Sequence, residues 1–178
     1  MRYIPYGKQF INKSDIDLVS SSLREDLITT GKNVEKFENK NSKFLKAKFA
    51  LACSNGTAAL HLAFCAIRLK KNDTVIMPSI NFISAYNMAS NIGANIYLAD
   101  VDSQTGQMTP ETLLDCINKF KLKKIKTILT MYMGGYPENI PEFNSIKKRY
   151  KSILIEDACH AFGAKYYVKN KFYKVGSC

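Results

Sequence analysis

Near its C-terminal end the chain carries an uncharged run, Ile153-Leu154-Ile155, that stops at Glu156-Asp157 and gives way to small residues and His160. A short apolar run without alternation fits a strand buried on both faces of a parallel sheet. In open parallel sheets, ligands sit outside the carboxyl ends of the strands. Asp157 therefore stands where such a fold keeps its chemistry. The same pattern recurs upstream. Residues 74–77 are stopped by Pro78, residues 95–99 by Asp100, and residues 127–132 by Gly134-Gly135. Helical patterns separate these runs, at residues 57–69, at 82–91, from Thr109-Pro110 onward, and at 141–150. Strands alternating with helices predict an α/β fold with a mostly parallel sheet flanked by helices. Residues 49–53 read as a further strand and 165–173 as a hairpin.

The first 45 residues lie outside this alternation and are more polar. They read as a helical arm, capped by Ser14, with residues 46–178 forming the sheet-bearing domain. The helix at 57–69 is apolar almost all round and is expected to be buried.

Composition removes several classes of function. No stretch approaches the roughly 18 consecutive apolar residues of a membrane span. The N-terminus has no apolar signal core, so a cytoplasmic protein with no membrane part is expected. The net charge of +11 comes from lysines spread along the chain, densest at Lys119, Lys121, Lys123, Lys124 and Lys126. That cluster ends a helix, where lysine suits the dipole, so a solvated surface is expected rather than a nucleic-acid face. The five cysteines form no CxxC pair, which argues against a disulfide framework or a zinc site, and no metal site is expected. Cys53, Cys65 and Cys159 sit among apolar or small residues and are expected to be buried thiols.

Three strand-end motifs could carry chemistry. In Ser54-Asn55-Gly56-Thr57-Ala58-Ala59-Leu60, a strand turns through glycine into an apolar helix. The free amides of that first turn, with the Thr57 hydroxyl, make an anion site; an ordinary capped turn is the alternative. The motif is neither a Walker A loop nor a dinucleotide fingerprint. After Pro78, Phe82 stands at the same rim and could cover a flat ring or simply pack at its helix start. Asp157 could hold a metal, act as a base, or pair with a protonated ring nitrogen. His160 could face the same pocket or be structural. A phosphate cradle, a ring cover and an acid for a ring nitrogen together suit pyridoxal 5′-phosphate (PLP), whose chemistry needs that nitrogen protonated.

In order and spacing, several motifs resemble the sugar aminotransferases of the DegT/DnrJ/EryC1/StrS type, which are fold-type-I PLP enzymes. They are Ile28-Thr29-Thr30-Gly31, the stretch from Ser54 to His61, Asn81-Phe82, Gly93-Ala94 and Ile155-Glu156-Asp157-Ala158-Cys159-His160-Ala161. The resemblance implies that Thr57 and Ala58 bind the PLP phosphate, Phe82 stacks on the ring, Asp157 pairs with the ring nitrogen, and His160 lies near the phenolic oxygen. It further implies that Tyr6, Asp26, Leu27, Ile28, Thr29 and Gly56 lie near a nucleotide-sugar substrate, and Tyr132 near the cofactor. The reaction implied is amino transfer from glutamate to a nucleotide-linked keto-deoxysugar, in a homodimer.

The family's Schiff-base lysine belongs to a Ser-Phe-His-x-x-Lys type motif just past the Gly-Ser matched by Gly176-Ser177. It is therefore expected beyond Cys178, together with a C-terminal small domain, and no lysine present takes its role. On this reading the chain is an N-terminal part of the enzyme, an incomplete large domain, inactive by itself. One alternative is a non-catalytic module that binds PLP or a nucleotide sugar. Another is a generic doubly wound domain that binds a nucleotide or a metal.

Overall fold

A computed structural model describes Tyr3, Pro5 and residues 7–177 of the chain. Four parallel strands form its sheet: β1 (Thr74–Pro78), β2 (Asn95–Ala99), β3 (Thr127–Met131) and β4 (Ile153–Asp157), in spatial order β2-β1-β3-β4. The register sets Met77 beside Leu98, Ile76 beside Ile128, and Met131 beside Asp157. All five residues of β3 are buried, as a central parallel strand requires.

Helices cover both faces, and the two-residue period of the strands sorts the core. Val75, Met77 and Leu129 pack under α3 (Gly56–Ala66) and α4 (Ser84–Ile92), through Leu60, Phe64, Ala85 and Ala89. Ile76 and Ile128 face the other way, against Leu113 and Ile117 of α5 (Pro110–Lys119) and Phe143 and Ile146 of α6 (Ile140–Tyr150). The starts of these helices have local causes. Thr109 accepts from the Thr112 amide, and Pro110 occupies the first turn of α5. Gly93 ends α4 in the left-handed conformation at φ 82°.

Before the sheet lie α1 (Lys13–Ser22) and α2 (Lys32–Leu45), neither of which has a buried residue. The cap of α1 is Asn12, not Ser14. Asn12 and Asp15 bond reciprocally across the first turn, and the Ser14 hydroxyl donates to Asn12. The C-terminal end of α2 is tied to the antiparallel hairpin β5 (Lys165–Val168) and β6 (Lys171–Lys174). The Lys174 ammonium donates to the Phe44 carbonyl at 2.8 Å and sits 3.3 Å from the Phe44 ring centroid. Phe44 in turn stacks on Phe162.

Three expectations are corrected. Residues 49–53 are not a strand. Among the described residues no strand pairs with them, and an extended segment without ladder bonds is not a sheet strand. The Ala52 amide donates to Glu38 of α2, and the Cys53 thiol donates to the Asn55 carbonyl. Second, α3 is not buried all round: Leu60 and Phe64, one turn apart, face the sheet, while Leu62 is 41 % exposed. Its apolar outer face has no cover among the described residues. Third, Cys53, Cys65 and Cys159 are exposed, and Cys116 is the buried thiol among the four described.

The orientation of α3 predicts a contrast within one helix. Phe64→Ala should lower stability by about 3–5 kcal/mol. Leu62→Ala should change it by no more than about 0.5 kcal/mol. Chemical denaturation of both variants measures this, and a larger loss at Leu62 would contradict the packing described.

Candidate active site

The C-terminal ends of β1, β3 and β4 and the first turn of α3 enclose a cavity of about 420 Å³. Parallel strands put their carboxyl ends on one rim, so residues far apart in sequence meet there. Four of the expected site residues line it: Thr57, Phe82, Asp157 and His160. Gly56 joins them, expected near the substrate rather than the cofactor. Leu60, Met131 and Met133 add apolar wall.

Each side chain has a positioning element. Asp157 ends β4 and is 7 % exposed. Its Oδ1 accepts from the Cys159 amide at 3.1 Å, and its carbonyl accepts from the Tyr132 amide. Asn81 donates to the Pro78 carbonyl at 2.7 Å, which turns the chain out of β1 and leaves Phe82 on the rim, 63 % exposed. The Gly56 and Thr57 amides open α3 with no partner among the described residues. A Cβ on Gly56 would lie 3.3 Å from the Cys159 sulfur, so the turn after β4 closes directly onto the start of α3.

His160 is held from the β3 side. The short 3-10 turn Met133–Gly135 follows β3, and the Gly134 amide donates to His160 Nδ1 at 3.4 Å. Gly135 has φ 82°, and a Cβ there would lie 2.5 Å from the His160 carbonyl oxygen. Only glycine permits that approach.

The other expected residues lie elsewhere. Ala58 does not line the cavity, and its amide donates to the Asn55 side chain at 2.9 Å. Asp26 and Leu27 line a second cavity of about 480 Å³ with Arg24, Lys32 and Lys36. Ile28 and Thr29 are exposed and line neither. Tyr132 is 1 % exposed and packs with Ile140, Ala161 and Val175, where its hydroxyl donates to Glu156. Tyr6 lies outside the described residues. Sequence reading did not assign Asn81, Met131, Met133 or Cys159 to the site. Strand alternation carried a signal for one of them, because Met131 and Tyr132 must point to opposite faces.

The chemistry of the lining fits PLP. Burying a carboxylate is costly without a charged partner. Among the described residues no lysine or arginine lines the cavity beside Asp157. A protonated ring nitrogen would supply that partner. The unpartnered Gly56 and Thr57 amides suit a phosphate, and Phe82 with the two methionines suits a ring. No three His, Cys, Asp or Glu side chains gather as a metal site would require, among the described residues.

Cys159 is chemically muted despite its exposure. A hydrogen bond to the Asp157 carboxylate, then partial burial, then the charge of Asp157 push its thiol up to about 11. The raised value keeps the thiol protonated through neutral pH, and the thiolate is the reactive form. At pH 8, alkylation of Cys159 should be about tenfold slower or more than alkylation of the exposed Cys65. Asp157→Asn should speed it. Mass-spectrometric rates for each cysteine measure this, and equal rates at Cys159 and Cys65 would contradict it.

A family model described as the DegT/DnrJ/EryC1/StrS aminotransferase family matches residues 9–177. An aminotransferase from Psychrobacter cryohalolentis superposes with a TM-score of 0.81 at 28 % identity, over 92 % of this chain and 41 % of its own. A 3-amino-5-hydroxybenzoic acid synthase gives 0.83 at 26 % identity, over 98 % of this chain and 44 % of its own. A GDP-4-keto-6-deoxymannose-3-dehydratase, solved with a trapped PLP-glutamate geminal diamine, gives 0.83 at 26 %, over 95 % and 44 %. The chain thus spans less than half the length of each of these proteins. Because the family model covers both the strand-end cleft and the helices that frame it, the chain belongs to the DegT/DnrJ/EryC1/StrS aminotransferase family.

Proposed function

We propose that this chain is the cofactor-binding part of a PLP-dependent nucleotide-sugar aminotransferase, which moves an amino group from glutamate to a keto-deoxysugar nucleotide. The observation that carries the reading is the convergence of Asp157, Phe82, His160 and the α3 N-terminus on one cleft. When bound, PLP supplies an electron sink for charge developing on the substrate carbon beside nitrogen.

The roles of the chain's own residues follow from their places. Asp157, fixed at the end of β4, holds the ring nitrogen protonated. The Gly56 and Thr57 amides and the Thr57 hydroxyl bind the phosphate, with Ala58 behind them. Phe82 covers one face of the ring and excludes water from it. His160, oriented by the Gly134 amide, meets the phenolic oxygen. Asp26 and Leu27, with Ile28 and Thr29 next to them in sequence and with Tyr6, serve the nucleotide sugar. Tyr132 acts from beneath, by holding Glu156 next to Asp157. Residues 1–45 form an arm, and residues 46–178 the PLP-binding domain. The apolar residues left exposed on α1, among them Ile16, Leu18 and Val19, fit a homodimer that covers this layer.

A second reading, a binding module without turnover, draws on one observation: no lysine among the described residues lines the cleft. Borohydride reduction of the chain with PLP tests the premise that both readings share, that no lysine of this chain holds the cofactor. A stable adduct on a lysine of this chain would favour a complete catalytic unit, and its absence a binding part or module.

Pyridoxamine 5′-phosphate, which needs no lysine, tests the site directly. Asp157→Asn should weaken its binding about tenfold or more, the size of a charged hydrogen bond. Phe82→Ala should weaken it several-fold, about 1 kcal/mol. Fluorescence titration reads both. Unchanged affinity in Asp157→Asn, with the variant folded by circular dichroism, would defeat the assignment.

A further inference from the structure

At the anion end of the cleft, one of the first-turn amides is already taken by the chain itself. Asn55 precedes α3 in an extended conformation and lines the cleft beside Gly56 and Thr57. Its Oδ1 accepts the Ala58 amide at 2.9 Å, and its Nδ2 donates to the Ser54 hydroxyl at 3.3 Å. Both ends of the side-chain amide are therefore tied down. The backbone carbonyl of Asn55 separately accepts from Ala59 at 3.0 Å, so the start of the helix does not depend on the side chain alone.

First-turn amides of a helix point toward its N-terminus and converge on one anion. Of the three at the start of α3, Gly56 and Thr57 are open, while the third, Ala58, is taken by Asn55. A phosphate oxygen placed to reach the Ala58 amide would meet Oδ1, and two acceptors repel. Hydrogen bonds to a charged acceptor are roughly twice as strong as neutral ones, so exchange of Oδ1 for phosphate is favourable but opposed by the lost cap.

We propose that Asn55 is an internal competitor for the phosphate: its side chain leaves the Ala58 amide when a phosphate monoester binds, and so it sets the affinity of the site. This inference rests on the reading of the cleft as a PLP site. It makes Asn55 a specificity-determining residue, one that leaves weakly charged anions unable to displace the cap while a phosphate dianion can.

Equilibrium titration of the 178-residue chain tests it, with pyridoxamine 5′-phosphate and with pyridoxamine, which lacks the phosphate. Asn55→Gly keeps the extended backbone, and glycine is tolerated at this helix position. It should bind the phosphorylated compound roughly three- to tenfold more tightly than wild type, the size of one neutral hydrogen bond, with pyridoxamine binding unchanged. Without ligand it should melt at a lower temperature than wild type. Asn55→Asp keeps the cap but adds a negative charge, and should weaken binding of the phosphorylated compound about tenfold or more. Affinity unchanged or reduced in Asn55→Gly, or unchanged in Asn55→Asp, would overturn the proposal and leave the PLP site standing. If neither wild type nor variant binds pyridoxamine 5′-phosphate while both are folded, the PLP reading itself falls.

Discussion

The arrangement depends on a buried carboxylate at the end of a sheet strand. Asp157 is nearly inaccessible, yet it lines the cavity at the carboxyl ends of the strands. A charge in that position persists only when the backbone holds it and a partner meets it. The backbone part is visible: the β3–β4 register sets it beside Met131, and the amides of Cys159 and Tyr132 secure its side chain and its carbonyl. Beneath the sheet, the Tyr132 hydroxyl holds Glu156. On the proposed function, a cationic ring nitrogen would supply the partner part.

From that anchor the cleft is built by close approaches. The turn after β4 presses on the start of α3, where Cys159 leaves no slack beside Gly56. On the other side Gly135 lets the turn after β3 touch the His160 carbonyl. Small residues at these two points let three segments of backbone share one rim. Cys159 shows how the carboxylate dominates its surroundings: the same acid that receives the thiol keeps it protonated and unreactive.

Much of this was legible in the sequence because parallel strands announce themselves. Unbroken apolar runs that end at Pro78, Asp100, Gly134 and Glu156 located all four strands of the sheet. Phe82, Asp157 and His160 then followed as strand-end residues, and they do share the cavity; Thr57 shares it too, although the strand expected before it does not form. What stayed hidden depends on partners rather than pattern. Residues 49–53 have a strand-like sequence, but pairing needs a neighbour, and none of the described strands provides one. An apolar helix does not reveal which of its faces will be covered, so the exposure of Leu62 was invisible. The Asn55 cap was legible only as a possibility, since the same amides serve a cap or an anion.

The central claim is that Asp157 keeps a pyridine ring nitrogen protonated. Nitrogen-15 NMR of ring-labelled pyridoxamine 5′-phosphate bound to the chain at pH 8 tests it most directly. The account predicts a pyridinium resonance with its proton attached in wild type, and an unprotonated pyridine resonance in Asp157→Asn. An unprotonated ring nitrogen in the wild-type complex would contradict it.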